Sequence, residues 1–294
     1  MKVAALGAAW LLITAASAPE PATIPLAEHH QRLFLPVTIA GHRSEALLDS
    51  AAEATIVDIG FAKEIGLTGG TAVGIKGSGG SAGASLIANV DIRVGNTRLA
   101  PATIAVVDLG DVSRRLNGRP IAMVLGRNFF DQGRWAIDLR RATIAAAPRS
   151  RPPAGVRLPL STRRGLETLA VQVEGHPAVP AVFDLGNGNE VLIGAAYAAR
   201  IGVLRDGRQQ GAHAGGGIGG AITRTSVILR WIDVGGVRFR NVNASIDPTD
   251  SAEDLNIGTS ILRHFRMTVD YPQHRLWLAP ARGRRGAPPR HSRS

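Results

Sequence analysis

The feature that most constrains this chain is a repeat within it. Asp49 lies in ALLDSAAEATIV and Asp184 in AVFDLGNGNEVLI, 135 residues apart. Both segments run from an apolar stretch to an aspartate, then one residue, a small residue and a second apolar stretch. A carboxylate at the end of an apolar run is costly to enclose unless it is paired or hydrogen-bonded. Four further features recur in the same order. Ile65-Gly66-Leu67 answers Ile201-Gly202-Val203, each closing a short helical stretch. The glycine-rich segment 74–83 answers 211–220, and the alternating strand pair around a glycine turn at 90–99 answers 231–239. Finally 124–145 answers 256–279, with Gly126 and Gly258, like Asp138 and Asp270, 132 residues apart. An ordered set of this kind marks a duplicated unit.

The repeat divides the chain into a first β-rich lobe over 30–147, a Pro/Arg-rich linker over 148–159 and a second lobe over 160–280. Thirty-five glycines and seventeen prolines, with few long polar helical runs, agree with an all-β fold class. With 294 residues, 45% of them hydrophobic, there is enough apolar surface for a substantial core. Asp138 and Asp270, in late strands of their lobes, read as surface or turn-facing carboxylates.

Before the first lobe, Lys2 is followed by the apolar run VAALGAAWLLITAA and the small triplet Ala16-Ser17-Ala18, so residues 1–18 read as a signal peptide. The run is short for a membrane span. Export to the periplasm or the exterior is expected, without a stable membrane span after cleavage; left uncleaved, the segment would be an anchor, and Pro19 is a poor residue beside a cleavage site. The formal charge of +11 invites a nucleic-acid reading, but aromatic residues make up only 4% and the arginines are scattered rather than striped. Part of the excess belongs to the tail 281–294, rich in Pro, Gly and Arg and expected to be disordered. No cysteine is present, which excludes disulfides and thiolate metal sites. The eight histidines lack metal-ligand spacing, so neither a metal nor another cofactor is expected.

Two accidental motifs fall in the glycine-rich segments. Gly79-Gly80-Ser81-Ala82-Gly83 matches a serine-hydrolase elbow without the strand before it or the helix after it. Gly215, Gly217 and Gly220 match a dinucleotide fingerprint, but the segment behind them reads as a strand.

The ordered, duplicated set resembles the aspartic protease family over roughly 30–280, and is most similar to the retropepsin-like lobes of bacterial exported proteins. In that family each lobe supplies an Asp-Thr/Ser-Gly loop and a later hydrophobic-hydrophobic-Gly motif. Here the loops are Asp49-Ser50-Ala51 and Asp184-Leu185-Gly186, and the later motifs are Val124-Leu125-Gly126 and Asn256-Ile257-Gly258. The resemblance implies two pseudo-symmetric β-barrel lobes around a cleft, and a peptide or protein substrate hydrolysed by a water activated between Asp49 and Asp184. Carboxylates in hydrogen-bonding reach share one proton, one member acting as base and the other polarising the scissile carbonyl.

The resemblance implies further roles. Small residues at Ala51 and Gly186 let the loops approach, and Ser50 hydrogen-bonds across to the other loop, whereas Leu185 has no hydroxyl for the return bond. With fewer donors to the ionised dyad, activity is expected to extend to less acidic pH than in members with both hydroxyls. Gly77, Ser78, Gly79 and Gly80, with Gly215, Gly216 and Gly217, stand where flaps would close over substrate. Glu53, four residues after Asp49, is expected to pair with Arg127 of Gly126-Arg127-Asn128. With both aspartates in one chain, a monomer suffices. The alternative reading is a non-catalytic member, favoured by Leu185, that keeps the fold and binds peptides or a partner protein.

Overall fold

The structure, a computed structural model, describes residues 22–188, 191–250 and 252–281. The expected signal segment and almost all of the basic tail lie outside them.

Each repeat builds one eight-stranded sheet folded over an apolar core. In the first, the strands Arg32–Ile39 and His42–Leu48 pair in register Phe34↔Leu47 and lead directly into Asp49. The short strand Met123–Leu125 then inserts between the strand before the aspartate and the strand after it. It runs parallel to the first (Leu47↔Val124) and antiparallel to Thr55–Asp58 (Ile56↔Val124). The second repeat does the same: Leu255–Ile257 lies parallel to Val179–Phe183 and antiparallel to Val191–Gly194. This insertion explains why a short strand with buried apolar residues and a glycine must follow each aspartate loop so late in the chain. Val124 and Leu125 in the first lobe, and Leu255 and Ile257 in the second, bury in the ladder, and the glycine lets the aspartate loop cross over it. A Cβ on Gly126 would lie 2.7 Å from the Ala52 carbonyl oxygen, and one on Gly258 2.7 Å from Asn187 Cγ.

A short helix follows each aspartate loop and second strand, at Ile59–Glu64 and Ala195–Ile201. The Asp58 side chain caps the first, accepting from the Gly60 and Phe61 amides. Among the described residues no helix is long and apolar enough to cross a membrane.

The late strands of both repeats leave their own sheets and join one six-stranded sheet that ties the lobes together. Arg134–Asp138 pairs antiparallel with Phe265–Asp270 across the repeat boundary. The expected linker is partly strand: Val156–Pro159 forms one edge of this sheet against Arg275–Pro280. Asp270 is not the surface carboxylate its sequence position suggests. It is fully buried, held by Arg134 (3.2 Å) and by both terminal guanidinium nitrogens of Arg149 (2.8 and 3.1 Å). Because it lies where two lobes meet, single-lobe reasoning puts it outside. Asp138 does face a turn, accepting from the Arg140 and Arg141 amides.

Candidate active site

Asp49 and Asp184 project from matching loops that meet between the lobes. The amide of Asp49 donates to the Leu125 carbonyl (3.0 Å) and that of Asp184 to the Ile257 carbonyl (3.1 Å), so each inserted strand fixes its own aspartate. Asp49 Oδ1 accepts from the Ala51 amide (2.9 Å). Asp184 Oδ1 accepts from the Gly186 and Asn187 amides (2.8 and 3.0 Å). Gly186 brings the two carboxyls together: its amide holds Asp184, and a Cβ at its position would sit 2.5 Å from Asp49 Oδ2.

Ser50 crosses between the loops. Its Oγ donates to the Phe183 carbonyl and accepts from the Leu185 amide, both at 2.8 Å. Leu185 is fully buried, so on the other side apolar packing takes the place of a return hydroxyl bond. Tyr271 adds a support on lobe one, its hydroxyl donating to the Ser50 carbonyl (3.0 Å); burial pushes that phenol well above its ordinary pKa, so it stays a donor.

The enclosed pair has distorted acid–base properties. Burial first, and then the charge of Asp184, push the Asp49 pKa up to about 7, against the pull of the Ala51 and Ala52 amides and of Arg32. Burial also raises Asp184, opposed by hydrogen bonds from Asn256, Asn187 and Gly186 and by Arg32.

Two of these groups escape a reading of the sequence. Asn256 precedes the second hydrophobic-Gly pair and looks like a weakened motif. In the fold it donates to Asp184 Oδ2 (2.6 Å) and accepts from Asn187 Nδ2 (2.8 Å), completing a donor set that Asp49 lacks. Its position beside a motif glycine is the signal that could have found it. Arg32 has no such signal. Its guanidinium lies in the electrostatic reach of both aspartates and is fixed by the Leu116 and His30 carbonyls (2.7 and 3.2 Å).

The glycine-rich segments are hairpin tips that meet. The hairpin Thr71–Gly77/Gly80–Val94 of lobe one touches the 216–221 loop between Gln209–Gly215 and Ile222–Val234 of lobe two. The Gly79 amide donates to the Ile218 carbonyl (2.9 Å). A Cβ on Gly79 would lie 2.6 Å from the Gly220 nitrogen, so close approach, and not only turn conformation, demands glycine here. Arg115 holds the lobe-two tip through the carbonyls of Gly215 (3.3 Å), Gly216 (3.4 Å) and Gly217 (3.0 Å), while its other side pairs with Asp111 (2.7 Å). Ser78 lies against Gly217 in the same contact.

The expected Glu53–Arg127 pair does not form. Arg127 turns to the other lobe, donating to Glu167 Oε1 (3.0 Å) and the Gly165 carbonyl (2.9 Å), and also pairs with Asp131 (3.3 Å). Glu167 is the stronger partner because it is buried and needs a cation, whereas Glu53 packs against Gly165. Among the described residues no cluster of three or more His, Asp or Glu side chains is placed to hold a metal ion.

Two β lobes, each sending an aspartate loop over an inserted strand to a shared cleft, define the acid-protease fold. The chain belongs to the aspartyl protease family, whose model matches residues 35–129 and again 169–261, one match per lobe. No curated protein matches the chain.

Proposed function

We propose that the chain is an exported aspartic endopeptidase that hydrolyses extended peptides with a water activated between Asp49 and Asp184. The observation that carries this reading is the shared enclosure of two carboxyls with unequal surroundings. Asp184 receives three donors and suits the ionised role, while Asp49, with its pKa near 7, retains the shared proton. The ionised carboxylate takes a proton from the water as it attacks, and the protonated one hydrogen-bonds to the developing oxyanion. The proton taken from the water passes to the leaving amine nitrogen as the C–N bond breaks, the water's other proton stays with the product carboxyl, and the dyad returns to one shared proton. The family match supports a protease-type function; the apolar segment after Lys2 supports export.

Incubating the purified chain with a mixed peptide library over a broad pH range, and mapping new termini, tests the proposal. Cleavage should persist to near-neutral pH and fall above about 7, because the group that must stay protonated loses its proton as pH rises through that value. A rate confined to strongly acidic pH would contradict this assignment. Gly186→Ala, whose new methyl collides with the Asp49 carboxyl, should lower kcat by about 100-fold, the usual consequence of an ångström-scale displacement of a reacting group. Unchanged kinetics would show that the loops are not held as described. The second reading, a peptide- or protein-binding module without catalysis, rests on Leu185, which leaves the cross-loop bonding one-sided. Retention of library peptides without cleavage at any pH would favour it.

A further inference from the structure

The eight-stranded sheets of the two lobes share a topology but not the chemistry of the face turned away from the main core. Their long hairpins superpose in register at a spacing of 140 residues: Val94↔Thr97 answers Val234↔Val237, and Ser85↔Val106 answers Thr225↔Ile246. One face of each sheet carries the main core, with Ile104 and Val106 in lobe one and Ala244 and Ile246 in lobe two. In lobe one the opposite face carries a second, separate apolar cluster that includes Ala84, Ala105 and Val107, with Val73 and Leu86 packed on it. The same cluster takes in Ala52 of the Asp49 loop and Ile218 of the lobe-two flap tip. It is therefore the wall of the cleft between the aspartates and the flaps.

In lobe two every one of these five wall positions is polar. His213 stands across from Arg224 as Val73 does from Ala84, Ser226 from Ser245 as Leu86 from Ala105, and Asp247 takes the place of Val107. Arg224 and Asp247 form an ion pair at 2.9 Å, and Asp247 is further held by the Thr249 amide (3.0 Å) and hydroxyl (2.6 Å). Arg224, only 8% exposed, lies flat against Gly215 at the base of the flap. Among the described residues its Nε and the hydroxyl of fully buried Ser245 have no hydrogen-bond partner. Buried donors without acceptors are uncommon in folded proteins, and a ligand oxygen is a group that can supply the acceptor.

Resting on the endopeptidase reading above, we infer that the cleft is split in polarity. An apolar side chain of the substrate packs on lobe one, and a side chain ending in a carboxylate or carboxamide oxygen accepts from Arg224 Nε and Ser245 Oγ on lobe two. A site built to hydrogen-bond a substrate group rejects an isostere lacking it far more strongly than an apolar pocket rejects a polar one. The preference is therefore enforced from the lobe-two side.

Mapping the cleavage sites of a random peptide library with the full chain tests this. Sites should carry an apolar residue on one side of the scissile bond and Asp, Asn, Glu or Gln on the other; the balance of Glu against Gln separates a charge requirement from an acceptor requirement. Apolar residues on both sides would overturn the inference. Arg224→Ala combined with Asp247→Val gives lobe two the lobe-one residues without stranding a charge. It should lower kcat/KM for a Gln- or Glu-containing peptide by about tenfold or more, through KM, and raise it for the Leu analogue. Ser245→Ala, which keeps the ion pair, should shift the preference in the same direction; unchanged profiles in both variants would overturn the inference. Should the wild-type chain cleave nothing, the catalytic reading fails by itself. The wall is then read from fluorescence-polarisation binding of the same labelled peptides, where a Gln/Glu preference lost in the double variant supports the inference. Equal affinity for the Leu analogue, or no binding at all, overturns it.

Discussion

Asp49→Asn is expected to lower turnover of a cleaved peptide by about 10³–10⁴-fold while changing its binding only a few-fold, because the amide keeps the shape of the carboxyl and loses the proton it must hold and return. The substitution is the cleaner of the two aspartate tests. Asparagine at 49 can still accept from the Ala51 amide through its carbonyl oxygen. At 184 both carboxylate oxygens already accept, one from Asn256 and the other from Gly186 and Asn187, so an amide nitrogen there meets a donor. Asp184→Asn should therefore lose stability as well as rate. Stability gives a second readout for Asp49. Its folded pKa, about 7, is raised above the value near 4 of an unfolded chain, so its contribution is fully present at low pH and is lost as pH rises through about 7. Asp49→Asn removes that loss: the variant should gain stability relative to the wild-type protein between pH 4 and pH 8. Thermal melts at the two pH values check the sign, and a relative loss at pH 8 would mean that the Asp49 proton is not held as described.

The duplicated pattern made the aspartates and the two lobes legible, since Asp49 and Asp184 each follow a buried strand and each precede a glycine that must clear a crossing loop. What stayed hidden depends on contacts between lobes. The Glu53–Arg127 expectation came from the family resemblance and stayed within one lobe, whereas a buried carboxylate of the other lobe, Glu167, offers a stronger partner. Asp270 was misplaced for the same reason, its cations Arg134 and Arg149 coming from the first lobe and the linker. The linker itself holds a strand because the edge Arg275–Pro280 offers unpaired backbone groups, which no local pattern in 148–159 announces. Arg32 and Arg115 act through carbonyls of loops far along the chain, and a lone arginine carries no periodicity to betray it. The glycines of the hairpin tips were conspicuous in number, but their reason, backbone packed on backbone between two hairpins, is a tertiary fact.

Arg127→Ala is expected to destabilise the fold by about 3–5 kcal/mol, the usual cost of stranding one member of a buried ion pair. The Glu167 side chain is 0% exposed, and among the described residues Arg127 is the one guanidinium on it. Thr162 donates to the same carboxylate oxygen (2.8 Å) and His274 lies at 3.2 Å, so part of the hydrogen bonding survives the loss, but the fixed positive charge does not. Arg127 also donates to the Gly165 carbonyl and lies over the Tyr271 ring, 5.6 Å from its centroid. Through the Tyr271 hydroxyl on the Ser50 carbonyl, that packing reaches the aspartate loop. Arg127→Lys should recover little, since a lysine cannot address Glu167 and Gly165 with one planar fork. By contrast Arg127→Met with Glu167→Leu removes both charges and should be far milder than either single change, because an apolar pair of similar volume avoids the cost of burying ions. Urea unfolding of the three variants decides the matter. An Arg127→Ala protein as stable as the parent would mean that Glu167 is carried by Thr162 and His274 alone, and that the lobes are joined through the six-stranded sheet and the Ser50 crossing without help from this pair.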